Sequence, residues 1–323
     1  MASPNATFTE LVSTTFRKHS KEIKDNVSRN NAFYARLVEK GSPTKEDGGL
    51  TITKPLDYSS NNTYQRYSGF DVLNISASDV ITAAEYQWRQ VALNVVASGL
   101  ELRTNSGESR IINLAKARIK NATRTFRNNF SVDLYSDGSL PNQIGGLQSI
   151  VADAGTGTVG GIDSSSWAFW QSKVQSAAAP RQGGGAITPG SGTMESLMLP
   201  LWLDLVRGDD KPDLILCSND YFSFYEQSQT SIKRYTSSDT ASGGFLNLKY
   251  KNADVIFDGG SGIPASRMYF LNTDYFDLVV HKDANLTVME EMKPYNQDAA
   301  VIPILWMGNL TCTNRSLQGV LKP

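Results

Sequence analysis

RMYFLNTDYFDLVVHKDANL (residues 267–286) and PYNQDAAVIPILWMGNLTCTNRSLQGVL (residues 294–321) decide how the chain folds. The runs RMYFLNT, FDLVVH and AVIPILWMGNLTC are short, apolar and rich in β-branched and aromatic residues, with turn formers between them, which is the pattern of strands. The final stretch, Met307–Gly319, is dense in polar side chains and nearly without charge, and its Cys312 and Arg315 give it the look of an enzyme motif. It lies where most soluble domains fray. A strand pattern there implies that the last residues complete a sheet.

Upstream, the same half alternates strand and helix signals. PDLILC (212–217) reads as a short buried strand and NADVIFDGG as another. SNDYFSFYEQ begins like a capped helix, and SWAFWQSKVQSAAA and MESLMLPLWLDLV read as amphipathic helices between glycine-rich stretches. The class expected is α+β.

The first half carries the strongest helix signal. Asn105 and Glu108 have capping-box spacing, and Ile112, Ala115, Ile119, Ala122, Phe126 and Phe130 recur at three- and four-residue steps. A helix from Asn105 to about Tyr135 would run roughly 40 Å. Its polar face bears Arg110, Lys116, Arg118, Lys120, Arg124 and Arg127, which suits either a solvated surface or a face turned toward a polyanion. Before it, ASDVITAAEYQWRQVALNVVASGLELRTNSG reads as mostly helix or mixed structure.

LTI and FDVLNI flank a long polar connection holding Tyr58, Tyr64, Arg66 and Tyr67. A structureless connection of about 20 residues is unusual in a compact domain, and its tyrosines and arginine suit a binding surface. Phe8–Lys40 reads as two short helices on an arm, ended by Gly41 and Pro43. Its apolar positions are sparse, so the arm is expected to pack on a neighbouring subunit.

Composition narrows the function. The chain has 323 residues, 40% of them hydrophobic, and a net charge of -1, with the positive excess in residues 1–135 and the negative excess after them. It can bury a large core and lacks the basic balance of a dedicated nucleic-acid binder. Its apolar runs are shorter than the roughly 18 to 20 residues of a membrane span. The polar N-terminus lacks the apolar segment of a secretory signal, so cytoplasmic residence is expected and triplets such as Asn121-Ala-Thr read as composition.

Catalytic motifs fail on context. Gly155, Gly157 and Gly160 spell G-x-G-x-x-G, but no regular helix is expected after Gly160 and no acid lies where a ribose would be held. His19 and His281 sit in no metal-ligand spacing, Cys217 and Cys312 read as buried structural thiols, and GSGT at Gly190 lacks the remainder of a hydrolase elbow. Asp209 with Asp210 and Glu290 with Glu291 are adjacent and tend to point apart. Neither an enzyme nor a cofactor is expected.

The order of parts resembles the major capsid proteins of tailed bacteriophages. The carriers are NNAFYARLVEKG, GGLTITKPLDYSSNNTYQRYSGFD, AAEYQWRQVALNVVASGLE and above all the two C-terminal stretches, so the likeness covers nearly the whole chain. It implies the capsid fold shared with herpesvirus shell proteins. Residues 1–45 would be the N-terminal arm, 46–80 an extended β-hairpin loop, 81–145 and 278–300 a peripheral domain with a long spine helix, and 146–277 and 301–323 an axial domain. Asn309 and Arg315 would then satisfy backbone or inter-subunit hydrogen bonds.

The function implied is a shell subunit that self-assembles into hexamers and pentamers of an icosahedral head enclosing double-stranded DNA. An encapsulin-like nanocompartment subunit of the same fold is the alternative. Tyr58, Tyr64, Arg66 and Tyr67 would make inter-subunit loop contacts, and Lys116, Arg118, Lys120, Arg124 and Arg127 would face DNA without sequence preference. A separate scaffolding protein, a portal and a decoration protein are the partners implied, with assembly in the host bacterial cytoplasm and residence in the virion. Some such proteins join a loop lysine to a neighbour's asparagine; Lys54 is the loop's only central lysine, and with no buried carboxylate evident beside it, that bond is not expected.

Overall fold

The computed structural model describes residues 31–104, 114–229, 247–258 and 262–323. In chain order, α1 (Ala32–Glu39) precedes β1 (Thr44–Glu46), β2 (Thr51–Asp57), β3 (Ile81–Gln87), β4 (Arg89–Ser98), α2 (Gly99–Thr104) and α3 (Leu114–Asp133). Next come α4 (Leu147–Ile150), β5 (Thr158–Val159), β6 (Ile162–Asp163), β7 (Lys173–Ser176), α5 (Met194–Leu205), β8 (Leu214–Cys217) and α6 (Asn219–Ser228). The remainder is β9 (Asn247–Tyr250), β10 (Ala253–Phe257), β11 (Met268–Leu271), β12 (Phe276–Val288), β13 (Ala299–Cys312) and β14 (Gly319–Lys322).

A six-stranded mixed sheet runs in the order β7, β14, β11, β8, β10, β9. Its central strands are apolar at every position because both faces are covered. In β8, Leu214 and Leu216 join one core cluster while Ile215 and Cys217 join the other. In β11, Tyr269 and Leu271 oppose Met268 and Phe270 in the same way. Helices α5 and α6 cover one face through Leu197, Leu201, Leu205 and Tyr221.

The second sheet has four strands in the order β1, β12, β13, β4. Helix α3 lies on it, with Phe126 and Phe130 stacked at 5.2 Å and Phe130 edge-on to Trp306 at 5.0 Å. The 20 described residues of α3 span about 30 Å. The Asn105–Glu108 capping pair lies outside the described residues.

Several sequence expectations change. AVIPILWMGNLTC does not close the larger sheet: β13 pairs along its length with β4 and β12, and Gly319–Lys322 fills the place beside β11 and β7. A division at residues 300 and 301 would cut one continuous strand, so the chain passes from sheet to sheet between Cys312 and Gly319. The region before residue 99, read as mostly helix or mixed structure, forms β3 and β4, with alternate residues such as Ala84, Tyr86, Val95 and Ala97 buried, a two-residue period that a helix cannot produce.

SWAFWQSKVQSAAA is not a helix either. A short 3-10 turn, Ala168–Trp170, leads into β7, whose backbone pairs in parallel with β14 from a sequence separation of some 145 residues. The last change concerns α1, which packs on its own chain. Phe33 is fully buried, edge-on to Phe276 at 5.6 Å. Arg36 meets Asp254 at 2.9 Å and Asp213 at 3.5 Å, and Lys40 meets Asp274 at 2.7 Å. The earlier part of the arm, residues 1–30, lies outside the described residues.

Candidate assembly surfaces

The extended hairpin is clamped at its base. Strands β2 and β3 pair over seven positions from Thr51↔Gln87 to Asp57↔Ile81, and Ile52, Leu56, Ala84 and Tyr86 turn one face into the core. The Tyr86 hydroxyl donates to the Cys312 carbonyl at 2.8 Å. Burial pushes its pKa well up, so it stays a neutral donor. Lys54 sits 3.3 Å from both Glu46 and Asp277, whose carboxylates are part-exposed, and this pairing ties the hairpin to β1 and β12.

The glycine motif belongs to this clamp. Gly160, at φ +59°, would place a Cβ 2.8 Å from the Ala84 Cβ, and its carbonyl accepts the Glu85 N–H at 2.9 Å. After it comes β6, not a phosphate-binding helix. The Gly157 carbonyl accepts from Ser164 Oγ at 2.9 Å and from Arg315 Nη1 at 3.3 Å. Arg315 is fully buried and also donates from Nε to the Ile150 carbonyl at 2.7 Å. Burial without a paired carboxylate among the described residues lowers its pKa. Asn309 donates to the Gln87 carbonyl at 2.8 Å and accepts the Gly145 N–H at 3.3 Å. Both residues satisfy backbone groups.

Beyond the clamp, residues 58–80 have no regular structure, and the strand read at FDVLNI is absent. The loop ties its polar groups to one another: Gln65 bridges the Val72 carbonyl and the Asn74 N–H at 3.0 and 2.9 Å, and Asn74 reaches the Asn62 carbonyl at 3.2 Å. Strand pairing is replaced by side-chain to backbone bonds. The apolar side chains consequently point outward. Tyr64 is 82% exposed, and Phe70, Val72 and Ile75 exceed 90%. Tyr67, Leu73 and Arg66 are also exposed. Large apolar side chains thus lie exposed along one loop, as they do on surfaces that await a partner.

Tyr58 has a different setting. Its ring meets Trp167 and Phe169 of its own chain, both at 5.7 Å, and the three line a cleft of about 500 Å³. The sequence picked out the tyrosines and Arg66 but not Phe70, Val72 and Ile75, whose apolar alternation reads as a strand. Trp167 and Phe169, about a hundred residues away, carry no sequence signal linking them to the loop.

The basic residues of α3 divide. Arg118 pairs with Glu101 at 3.0 Å and also donates to the Val96 carbonyl. Lys120 and Arg127 are exposed, and Arg124 is half-buried. The Lys116 side chain lies outside the described residues. Arg127 borders a cavity of about 380 Å³ between α1, α3 and the four-stranded sheet, lined by Tyr34, Phe126, Phe130 and Trp306.

Among the described residues, reactive groups do not converge. Cys217 and Cys312 are buried free thiols, and desolvation pushes the Cys312 thiol up to about 12. His281 packs edge-on to Trp88 at 5.9 Å. Among the described residues no group of three or more His, Cys, Asp or Glu could hold a metal ion, and no helix is long and apolar enough to cross a membrane.

No family model and no curated protein matches the sequence. Solved structures do. The cyanophage A-1(L) capsid asymmetric unit is similar with a TM-score of 0.68 at 16% identity, over 93% of this chain and 94% of that one. The capsid of an empty GTA particle gives 0.64 at 9% identity, over 94% and 93%. The SrpI encapsulin complex from Synechococcus elongatus PCC 7942 gives 0.55 at 10% identity, over 98% and 95%. The chain has the α+β capsid fold that these shells share.

Proposed function

We propose that the chain is the major capsid protein of a tailed bacteriophage, self-assembling into the icosahedral head that encloses double-stranded DNA. The observation that carries this reading is the loop at residues 58–80: Gln65 and Asn74 tie its backbone together, Phe70, Val72 and Ile75 lie exposed, and its base is clamped to the body. A shell subunit needs such a limb. Closed shells use heterologous contacts, in which one patch of a subunit meets a different patch of the next. Many weak contacts suffice, because each raises the effective concentration for the next.

In this reading residues 1–45 form the arm and 46–80 the extended loop. The four-stranded sheet with α3 forms the peripheral domain, and the six-stranded sheet with α5 and α6 the axial domain. Hexamers and pentamers build the head, with a separate scaffolding protein, a portal and a decoration protein as partners. Assembly takes place in the host bacterial cytoplasm, and the product resides in the virion. Lys120 and Arg127 meet packaged DNA without sequence preference, as exposed cations do. The role is structural, not catalytic.

The likeness to an encapsulin supports a second reading, a nanocompartment that encloses protein. Electron microscopy of purified particles, with nuclease-protected DNA measured in parallel, tests both. Large particles containing DNA support the head. Small particles filled with protein support the compartment.

A further inference from the structure

The extended loop carries one cation. Arg66 is the only lysine or arginine between Lys54 and Arg89. Its side chain is exposed between Tyr64 and Tyr67, and it makes no hydrogen bond or ion pair among the described residues. At the loop's other end Asp79 is exposed and equally without a partner there. Two opposite charges on one loop thus leave each other unpaired.

Asp79 borders the cleft of Tyr58, Trp167 and Phe169, with Asp163 beside it. The three rings lie 5.7 to 6.2 Å apart, Trp167 edge-on to the other two, and Trp167 is half exposed. The Asp163 carboxylate accepts from the Ser165 N–H at 2.9 Å and from Ser165 Oγ at 2.6 Å, which fixes its position. Aromatic faces beside two carboxylates form a receptor for a planar cation: a guanidinium stacks on rings and pairs with carboxylates at the same time. Arg66 has the matching chemistry.

We propose that the cleft bordered by Asp79 and Asp163 in one copy seats Arg66 of a neighbouring copy, flanked by Tyr64 and Tyr67 of that neighbour. Arginine and tyrosine are the residue types that dominate interface energetics. A head-to-tail contact brings a loop tip against a surface other than its own base. The proposal rests on the self-assembly reading and adds to it a defined seat with a defined occupant.

A charge swap tests it. Arg66→Asp and Asp79→Arg each place like charges together and should lower the shell yield about tenfold or more, because opposed like charges at an interface cost several kcal/mol. Neither residue has a hydrogen-bond or ion-pair partner among the described residues of its own chain, so both variants should match the wild-type melting temperature as unassembled protein. The double variant R66D/D79R restores one of the two ion pairs while Asp163 stays beside the new carboxylate, so its yield should rise at least about threefold above that of R66D without reaching the wild-type level. Wild-type yield from R66D, or a double variant no better than the single ones, overturns the proposal. A benzophenone amino acid at position 66 gives a second readout, expected to cross-link residues 58–82 or 157–170 of another copy; a cross-link confined to other segments also overturns it. A wild-type chain that forms no shells defeats the functional reading instead.

Discussion

The Tyr86 hydroxyl donates to the carbonyl of Cys312 at 2.8 Å and accepts the N–H of the same residue at 3.2 Å, joining the extended hairpin to the end of β13 through one side chain. Both partners are buried. Tyr86→Phe keeps the ring and strands a buried carbonyl and N–H, which should cost about 1–3 kcal/mol. Urea unfolding of the unassembled protein measures it. Unchanged stability would mean that the hairpin base is held by apolar packing alone.

Acid should loosen the contact between α2 and α3. The hydrogen bonds from Arg118, joined by the Ser98 N–H, hold the Glu101 carboxyl below its ordinary value. A carboxyl with a depressed folded-state pKa binds fewer protons folded than unfolded, so it adds stability that is fully present above the ordinary value near 4.5 and lost as pH falls through the lowered one. Glu101→Gln should therefore reduce stability at neutral pH and flatten the fall that begins below the ordinary carboxyl value near 4.5. Parallel acid limbs for variant and wild type in thermal melts would contradict this.

The exposed apolar residues of the loop should matter for assembly and not for folding. Phe70→Ser with Ile75→Ser removes side chains that are more than 90% exposed, so stability should shift by no more than about 0.5 kcal/mol per site. Shell formation should fail. Light scattering with scaffolding protein present, set beside a thermal melt, separates these effects. Normal assembly would remove the loop from the interface.

Contacts with DNA should divide along α3. Lys120 and Arg127 are exposed, whereas Arg118 is held by Glu101. Substituting Lys120 or Arg127 by Ala should each lower the slope of log affinity against log salt by about 1 for duplex DNA, and Arg118→Ala should leave the slope unchanged. Fluorescence anisotropy across a salt series reads the difference. An equal effect at all three positions would contradict it.

What the sequence made legible follows from how local the signal was. PDLILC and RMYFLNT have continuous apolar runs because both faces of their sheet are covered, and such runs need no knowledge of neighbours. Lys173–Ser176 stayed hidden because its strand character comes from pairing with residues near the chain end, not from its own composition. In β4, alternating alanine, valine and asparagine hold too little apolar contrast to separate a two-residue period from a helical one. The loop tyrosines were visible as residue types. That Tyr58 meets Trp167 and Phe169, about a hundred residues away, is a long-range contact that no local pattern encodes.

Cryo-electron microscopy of the purified chain, expressed with its scaffolding partner, tests the central claim most directly. Closed icosahedral shells in which residues 58–80 of each subunit lie across a neighbouring subunit are the predicted result. A chain that stays monomeric at high concentration, with Phe70 and Ile75 in solvent under every assembly condition, would contradict it.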